Sequence, residues 1–110
     1  MTNQFHFQSV RQMSDALHAK EVSSAELTDV HLGRVTQIDP RVGAYLTITP
    51  DIARQQAAKA DAILSTGKGG VLTGVPMQLK DNLATRGIPT TCASLMLEGF
   101  VPPYDATVTQ

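Results

Sequence analysis

The sequence predicts an α/β fold: a helical hairpin at the amino end, then the first strands and one helix of a sheet that is incomplete within these 110 residues. Three observations lead to this prediction. Two Ser-x-x-Gln/Glu capping boxes precede apolar residues at helical spacing. Side chains of two kinds alternate over 42–49, as they do when a strand has one buried face, and an apolar run over 75–79 is also typical of a strand. An alanine-rich segment over 50–65 begins with proline, which favours the first position of a helix.

The two helices of the predicted hairpin begin at the capping boxes Ser-Val-Arg-Gln, residues 9–12, and Ser-Ser-Ala-Glu, residues 23–26. In each box the serine and the Gln or Glu side chain satisfy amides that the first helical turn leaves unpaired. We expect the first helix to run to about Lys20. We expect the second to stop at Asp39, because Pro40 disfavours the helical conformation in the residue before it.

The third predicted helix has Thr49 as its N-cap and Pro50 at its first position, where the missing N–H of proline has little consequence. It ends near Ser65, before the glycine-rich loop 67–70. The residues expected near its inner face are Ile52, Gln56, Ala60, Ile63 and Leu64.

Composition and charge argue against several classes of function. The formal charge of −1 gives no basic surface, so we do not expect direct binding of a nucleic-acid backbone. The three histidines lack the spacing of metal ligands, so we expect no metal site. The single cysteine, Cys92, fits a reducing compartment. Residues 1–7 lack a signal-peptide pattern, and no apolar run reaches the roughly 20 residues of a membrane span, so we expect a cytoplasmic protein, or an organellar one in a eukaryote.

The candidate functional residue is Lys80, which ends the apolar run 75–79 and precedes Asp81 and Asn82. Burial disfavours the charged ammonium group, so a buried lysine tends to lose its proton and become a base. Open α/β sheets also place their sites at the carboxyl ends of strands. Spacing alone leaves a structural interpretation open, in which Lys80 reaches solvent or pairs with Asp81. Asp81 and Asn82 also allow two interpretations. They are common turn residues, and they could equally orient Lys80 through hydrogen bonds.

A second polar segment, Thr-Thr-Cys-Ala-Ser at 90–94, has hydroxyl or thiol groups on four of its five residues. It is either a solvated loop or one wall of a polar pocket beside the lysine. A catalytic cysteine needs a base within hydrogen-bond reach, and no histidine is near Cys92 in the sequence. We therefore expect Cys92 to be a small buried hydrophobic residue.

Three separated segments, in order, resemble the amidase signature family. They are Leu-Thr-Gly-Val-Pro-Met-Gln-Leu-Lys-Asp-Asn at 72–82, Thr-Thr-Cys-Ala-Ser at 90–94, and Tyr-Asp-Ala-Thr-Val at 104–108. Within the family, the second segment and residues 96–102 look most like the A subunits of glutamyl-tRNA(Gln)/aspartyl-tRNA(Asn) amidotransferases. The resemblance covers essentially the whole chain, which corresponds to the amino-terminal portion of the longer family chain.

This resemblance implies a mixed sheet flanked by helices and a Ser–cis-Ser–Lys triad. Lys80 stands at the position of the catalytic lysine, which acts as a neutral base and draws a proton from the nucleophilic serine through the cis-serine. Both serines belong to a later glycine- and serine-rich segment, so no serine of this chain is assigned to either role. We therefore expect these 110 residues to be inactive alone.

The resemblance also implies a glutamine amidotransferase that hydrolyses glutamine and supplies ammonia for the amidation of misacylated Glu-tRNA(Gln) or Asp-tRNA(Asn). It would act in a heterotrimer with the B and C subunits, of which one holds the tRNA and uses ATP and Mg²⁺. We expect no cofactor in this segment and no membrane association. One alternative is a family member that hydrolyses another amide. Another is a non-catalytic module for partner docking, in which Lys80 is structural.

We expect residues 1–110 to be the amino-terminal part of a single amidase domain, with the hairpin over 1–40 and the start of the α/β core over 41–110. Asp105 is the expected N-cap of a helix that begins at Ala106. A domain does not ordinarily end on the first turn of a helix, so we expect a longer protein, and we expect these residues alone to be marginally stable.

Overall fold

The computed structural model of the protein describes residues 4–110 and consists of helices joined by irregular segments. The helices are α1 (Val10–His18), α2 (Ser24–Val42) and α3 (Pro50–Ser65), and short 3₁₀ turns lie at Phe5–Phe7, Leu95–Leu97 and Thr107–Thr109. The chain divides into two compact units. The first comprises the described residues up to Ala44 together with Thr49–Pro76, and the second comprises Tyr45–Ile48 and Met77–Gln110. The localisation prediction used residues 1–7, of which residues 1–3 lie outside the described residues.

Helix α1 begins with the predicted capping box. Ser9 Oγ accepts a hydrogen bond from the Gln12 amide at 3.2 Å, and Gln12 Oε1 accepts one from the Ser9 amide at 2.8 Å. The helix ends at His18, slightly before the predicted Lys20. Lys20 takes a left-handed backbone conformation with φ of 59°, which closes the helix because its geometry cannot continue a right-handed turn.

Helix α2 begins with the second predicted capping box. Ser23 Oγ accepts a hydrogen bond from the Glu26 amide at 3.1 Å, and Glu26 Oε2 accepts one from the Ser23 amide at 2.9 Å. Because these bonds favour the carboxylate, the pKa of Glu26 lies below its ordinary value of 4.5.

The predicted end of α2 at Asp39 is wrong: the helix continues through Pro40 to Val42. Pro40 removes one intrahelical bond, the one its N–H would donate to the Thr36 carbonyl, and the helix continues for only two residues beyond it. The actual end is Gly43, whose backbone is left-handed with φ of 65° and whose amide donates to the Asp39 carbonyl oxygen at 2.7 Å. The Asp39 carboxylate also accepts a bond from the Ala44 amide at 2.7 Å.

Helix α3 has the predicted bounds and the predicted proline at its start. Thr49 precedes it, but its side chain makes no capping hydrogen bond with a described residue. The predicted inner face is partly wrong, since Ile52 and Ile63 are exposed and the buried residue is Ala57. The helix is rotated so that the side of Ala57 and Asp61 faces the start of α2, where Asp61 makes hydrogen bonds.

The core of the first unit is small. It consists of Met13, Ala16, Leu17, Val22 and Leu27, against which Phe5, Leu64 and Val75 pack. Two buried serines tie the helices to the turn at 71–74, since Ser14 Oγ donates to the Val71 carbonyl at 2.5 Å and Ser24 Oγ donates to the Gly74 carbonyl at 2.8 Å. Gly74 is required there, because its φ is +86° and a Cβ would come within 3.2 Å of Ser24 Cβ.

The two predicted strands are not formed among residues 4–110, which contain helices, turns and irregular backbone. The segment 42–49 begins as the end of α2 and continues as coil, and 75–79 is irregular throughout. A strand requires a neighbouring strand that pairs with its backbone amides and carbonyls, and alternation in the sequence does not reveal whether that neighbour is present. The helical chain is compatible with the amino-terminal part of an amidase domain.

The buried hydrophobic cluster of residues 4–110 lies in the first unit, whereas the second unit buries only Thr90 and Pro102. Hydrogen bonds therefore contribute much of what holds the second unit together. The Thr90 amide donates to the Phe100 carbonyl at 3.1 Å, and the Ala106 amide donates to the Ala84 carbonyl at 2.8 Å. A short 3₁₀ turn, Leu95–Leu97, follows Ser94.

The prediction that Asp105 caps a helix beginning at Ala106 is wrong. A 3₁₀ turn begins at Thr107 instead, with Ala106 at its N-cap position. The Asp105 carboxylate is engaged elsewhere, because its Oδ1 accepts a hydrogen bond from the Arg86 amide at 2.7 Å. Among the described residues, no helix is both long and apolar enough to cross a membrane.

Candidate functional site

Lys80 lies in the second unit, in irregular backbone immediately before a turn. Its carbonyl oxygen accepts a hydrogen bond from the Leu83 amide at 3.0 Å, which closes the turn 80–83. The side chain is exposed and forms no ion pair within residues 4–110. The burial that would make this lysine a base is not observed within residues 4–110, since the preceding residues Met77 and Leu79 are exposed as well and no described residue covers this segment.

The Asp81 carboxylate is directed to Thr91 rather than to Lys80. The Thr91 amide lies 3.2 Å from both carboxylate oxygens, and Thr91 Oγ1 donates a hydrogen bond to Asp81 Oδ2. The Asp81 carbonyl oxygen accepts a further bond from the Cys92 amide at 2.8 Å. The bond from the Thr91 hydroxyl is the main reason that the pKa of Asp81 lies below its ordinary value of 3.8.

The segment 90–94 forms a tight turn with an unusual backbone. Cys92 and Ala93 both have positive φ, 51° and 56°, and the Ser94 amide donates to the Thr91 carbonyl at 2.9 Å. This is the pattern of a type I′ turn, in which Asn-Gly is the preferred central pair. The Thr91 hydroxyl also accepts a bond from the Ala93 amide at 3.2 Å. Cys92 is exposed, so the expectation of a buried cysteine is wrong, because the residue lies at the tip of this turn.

The structure therefore brings together two of the segments that the sequence singled out. Residues 90–94 lie against Asp81, the neighbour of Lys80, as expected if this segment borders the lysine. Sequence reasoning missed Thr91 as the partner of Asp81. The sequence feature that pointed to this contact was the number of hydroxyl groups in residues 90–94. Asp81 and Thr91 are ten positions apart in irregular backbone, so no helical or strand periodicity indicates that they meet.

The first unit contains a separate surface cavity of about 460 Å³. It is lined by Arg11, Ser14, Asp15, His18 and residues 69–71. The two charged residues pair with each other at 3.3 Å, and Ser14 bonds to Val71, so the polar groups are already engaged. Within the described part of the chain, no cluster of three or more His, Cys, Asp or Glu side chains could hold a metal ion.

Comparison with known proteins identifies the family. The family model described as Amidase matches residues 26–110, a range that includes Lys80 and the turn at 90–94. A protein from Halorhodospira halophila, named as the A subunit of glutamyl-tRNA(Gln) amidotransferase, is 52% identical over 103 residues, 94% of this chain and 21% of the relative. The protein of the same name from Granulibacter bethesdensis is 49% identical over 102 residues, 93% of this chain and 20% of the relative.

A third protein of that name, from Microcystis aeruginosa, is 48% identical over 103 residues, 93% of this chain and 21% of the relative. The chain thus spans about a fifth of the length of the curated relatives it matches. The family model covers most of the chain, and the identities extend over nearly all of it. The chain belongs to the amidase family.

Proposed function

We propose that this chain is the amino-terminal part of a single amidase domain in the glutamine-hydrolysing subunit of an amidotransferase. In this proposal residues 1–40 are its helical hairpin and 41–110 begin its α/β core, with 42–49 and 75–79 as strands once neighbouring strands pair with them. The observation that carries the proposal is the identity of about half of all positions with proteins named as A subunits of glutamyl-tRNA(Gln) amidotransferases.

The proposed activity releases ammonia from glutamine and delivers it to misacylated Glu-tRNA(Gln) or Asp-tRNA(Asn) in protein biosynthesis. The enzyme class is a carbon–nitrogen ligase with glutamine as amido donor, the glutamine-hydrolysing glutaminyl-tRNA synthase. The proposed assembly is a cytoplasmic heterotrimer with the B and C subunits, in which a partner binds most of the tRNA and uses ATP and Mg²⁺.

Lys80 is the proposed base of this reaction. Its side chain is exposed and not committed to an ion pair within residues 4–110, so it is available to meet a serine supplied by another part of the domain. Covering the lysine by that part would favour the neutral amine, which is the form that accepts a proton. The nucleophilic serine would then be activated through the cis-serine.

The test is a glutaminase assay on the complete subunit in complex with its partners, comparing the native protein with Lys80→Ala. We expect the substitution to lower kcat by at least about a thousandfold, because no other group would take the proton from the serine relay. Lys68→Ala, which removes an exposed lysine from the first unit, is the matched control and should retain activity. Full activity of Lys80→Ala would contradict the proposal, as would glutaminase turnover by residues 1–110 alone.

The same assay separates this function from its two alternatives. A family member specific for another amide would hydrolyse that amide faster than glutamine and would lose this activity with Lys80→Ala. A docking module would assemble with its partners while Lys80→Ala left every amidase activity unchanged.

A further inference from the structure

We propose that Asp81 and Thr91 act as a positioning pair for Lys80. In this inference Thr91 holds the Asp81 carboxylate, which fixes the backbone that carries Lys80 and keeps the nearest negative charge away from its ammonium group. The inference rests on the proposed function, because it concerns the base of that reaction. Neither residue needs to touch the substrate for this role.

Hydrogen bonds converge on two consecutive residues, Lys80 and Asp81. The Asp81 carboxylate accepts bonds from the amide and the hydroxyl of Thr91, and its carbonyl accepts one from Cys92 at 2.8 Å. The Lys80 carbonyl accepts a bond from Leu83 at 3.0 Å. The peptide units on both sides of Asp81 are thus tied down, although the segment has no helix or strand to hold it. A side chain extending from Lys80 therefore starts from a fixed point.

The charge of Asp81 matters as well as its hydrogen bonds. Asp81 remains ionised at neutral pH, since its hydrogen bonds to Thr91 hold its pKa below the ordinary value. A free carboxylate next to a flexible lysine would be an available ion-pair partner, and such a pair would favour the protonated lysine. Charge-assisted hydrogen bonds to Thr91 engage that carboxylate instead.

The remaining ionisable groups of the second unit do not pair with Lys80. They are Tyr45, Arg86, Cys92, Glu98, Tyr104 and Asp105, and among the described residues none forms an ion pair with the lysine. Asp105 is engaged by the Arg86 amide at 2.7 Å. If the bonds from Thr91 were lost, the Asp81 carboxylate would therefore be the group of this unit best placed to pair with Lys80 and favour its protonated form.

The turn that presents Thr91 is strained. Left-handed backbone is unfavourable for residues other than glycine, and two consecutive residues of this turn, Cys92 and Ala93, adopt it. Such strain persists only where surrounding interactions over-determine the conformation, and it is concentrated at functional sites. Here the bonds between Thr91 and Asp81 supply those interactions.

The experiment uses the complete subunit within its complex and compares Thr91→Val with Thr91→Ser. Valine has the shape of threonine without the hydroxyl donor, so it should lower kcat for glutamine hydrolysis by about 10–100-fold with little change in KM. The acid limb of the pH–rate profile should move to higher pH, because an Asp81 carboxylate held by the Thr91 amide alone would be freer to pair with Lys80 and keep it protonated. Serine keeps the hydroxyl and should restore kcat and the position of the acid limb.

Two further variants identify the carboxylate as the cause. Asp81→Asn should lower kcat without moving the acid limb, since it loosens the contact but removes the charge. Combining Asp81→Asn with Thr91→Val should return the acid limb to its native position while kcat stays low. Thr85→Val is the control for loss of a threonine hydroxyl in the same unit, since Thr85 Oγ1 donates to the Leu83 carbonyl and not to Asp81. It should behave as the native protein.

The inference is overturned if Thr91→Val leaves kcat and the acid limb unchanged, if Thr91→Ser loses as much activity as Thr91→Val, or if the acid limb stays shifted in the double variant. Should Thr91→Val fail to assemble, a native kcat in Asp81→Asn would overturn the inference equally.

Lys80→Ala, measured in the same preparations, separates failure of this inference from failure of the proposed function. If Lys80→Ala loses activity but Thr91→Val keeps the native kcat and acid limb, only the positioning pair is refuted. If Lys80→Ala remains active, the proposed function is refuted.

Discussion

At the residue scale, Asp61 decides how α3 meets α2. Its two carboxylate oxygens accept hydrogen bonds from the amides of Ser24 and Ala25, at 2.6 and 3.1 Å. These amides belong to the first turn of α2, where no carbonyl of the helix itself is available to them. The negative charge also lies at the positive end of the helix dipole. One side chain thus completes the start of one helix and sets the rotation of the other.

We expect Asp61→Asn to loosen the first turn of α2, because the amide side chain lacks the charge and keeps only one acceptor oxygen. A charge-assisted bond contributes about 1.5–3 kcal/mol, and the loss of part of it should speed amide hydrogen exchange in that turn by about tenfold. The measurement is exchange followed residue by residue. Glu21→Gln is the control, since it removes a charge from an exposed side chain that makes no hydrogen bond with a described residue. Equal exchange in the two variants would contradict the role given to Asp61.

At the scale of the element, glycine has opposite effects on the stability of α2 at two positions. Gly33 lies inside the helix, and Gly43 follows its end with φ of 65°. At both sites no described atom lies within 4 Å of an added Cβ, so contact with neighbours does not distinguish them. What differs is the backbone: a helical glycine has excess conformational freedom in the unfolded chain, whereas a left-handed glycine avoids strain.

We therefore expect Gly33→Ala to stabilise α2 and Gly43→Ala to destabilise it, each by roughly 1 kcal/mol. Amide exchange in the middle and at the end of the helix measures both effects, and each variant is the matched control of the other. A change of the same sign in the two variants would show that the difference does not arise from the backbone.

At the scale of the whole molecule, the chain buries little of its apolar surface. The buried hydrophobic residues all lie in the first unit, and in the second unit large side chains are open, with Met77, Leu95 and Met96 exposed by 80%, 86% and 93%. Because burial of apolar surface is the dominant favourable term in folding, a unit that buries little besides Pro102 and relies on hydrogen bonds is weakly held.

We expect residues 1–110 alone to be marginally stable and to lose structure over a broad temperature range. Thermal unfolding followed by circular dichroism tests this, and the complete subunit, which should unfold cooperatively, is the control. Within the isolated chain, amides of residues 77–110 should exchange faster than those of α1 and α2. Cooperative unfolding of the isolated chain at about 45–65 °C, the usual range of mesophilic domains, would count against this expectation.

Features that depend on local interactions could be predicted from the order of residues. The capping boxes at 9–12 and 23–26 and the bounds of α3 depend on hydrogen bonds over three or four positions, so the order of residues was enough to predict them. The family was also evident from sequence, because its motifs are strings of neighbouring residues.

Contacts between distant residues became evident from the folded chain and not from the sequence. The bonds of Asp61 to the start of α2, the bonds of Asp81 to Thr91 and the exposure of Lys80 arise between segments with no common period in the sequence. The two segments with strand-like patterns are the clearest case, since residues 4–110 contain no strand to pair with them. Helices satisfy their own backbone, whereas strands and buried sites require partners from elsewhere in the chain.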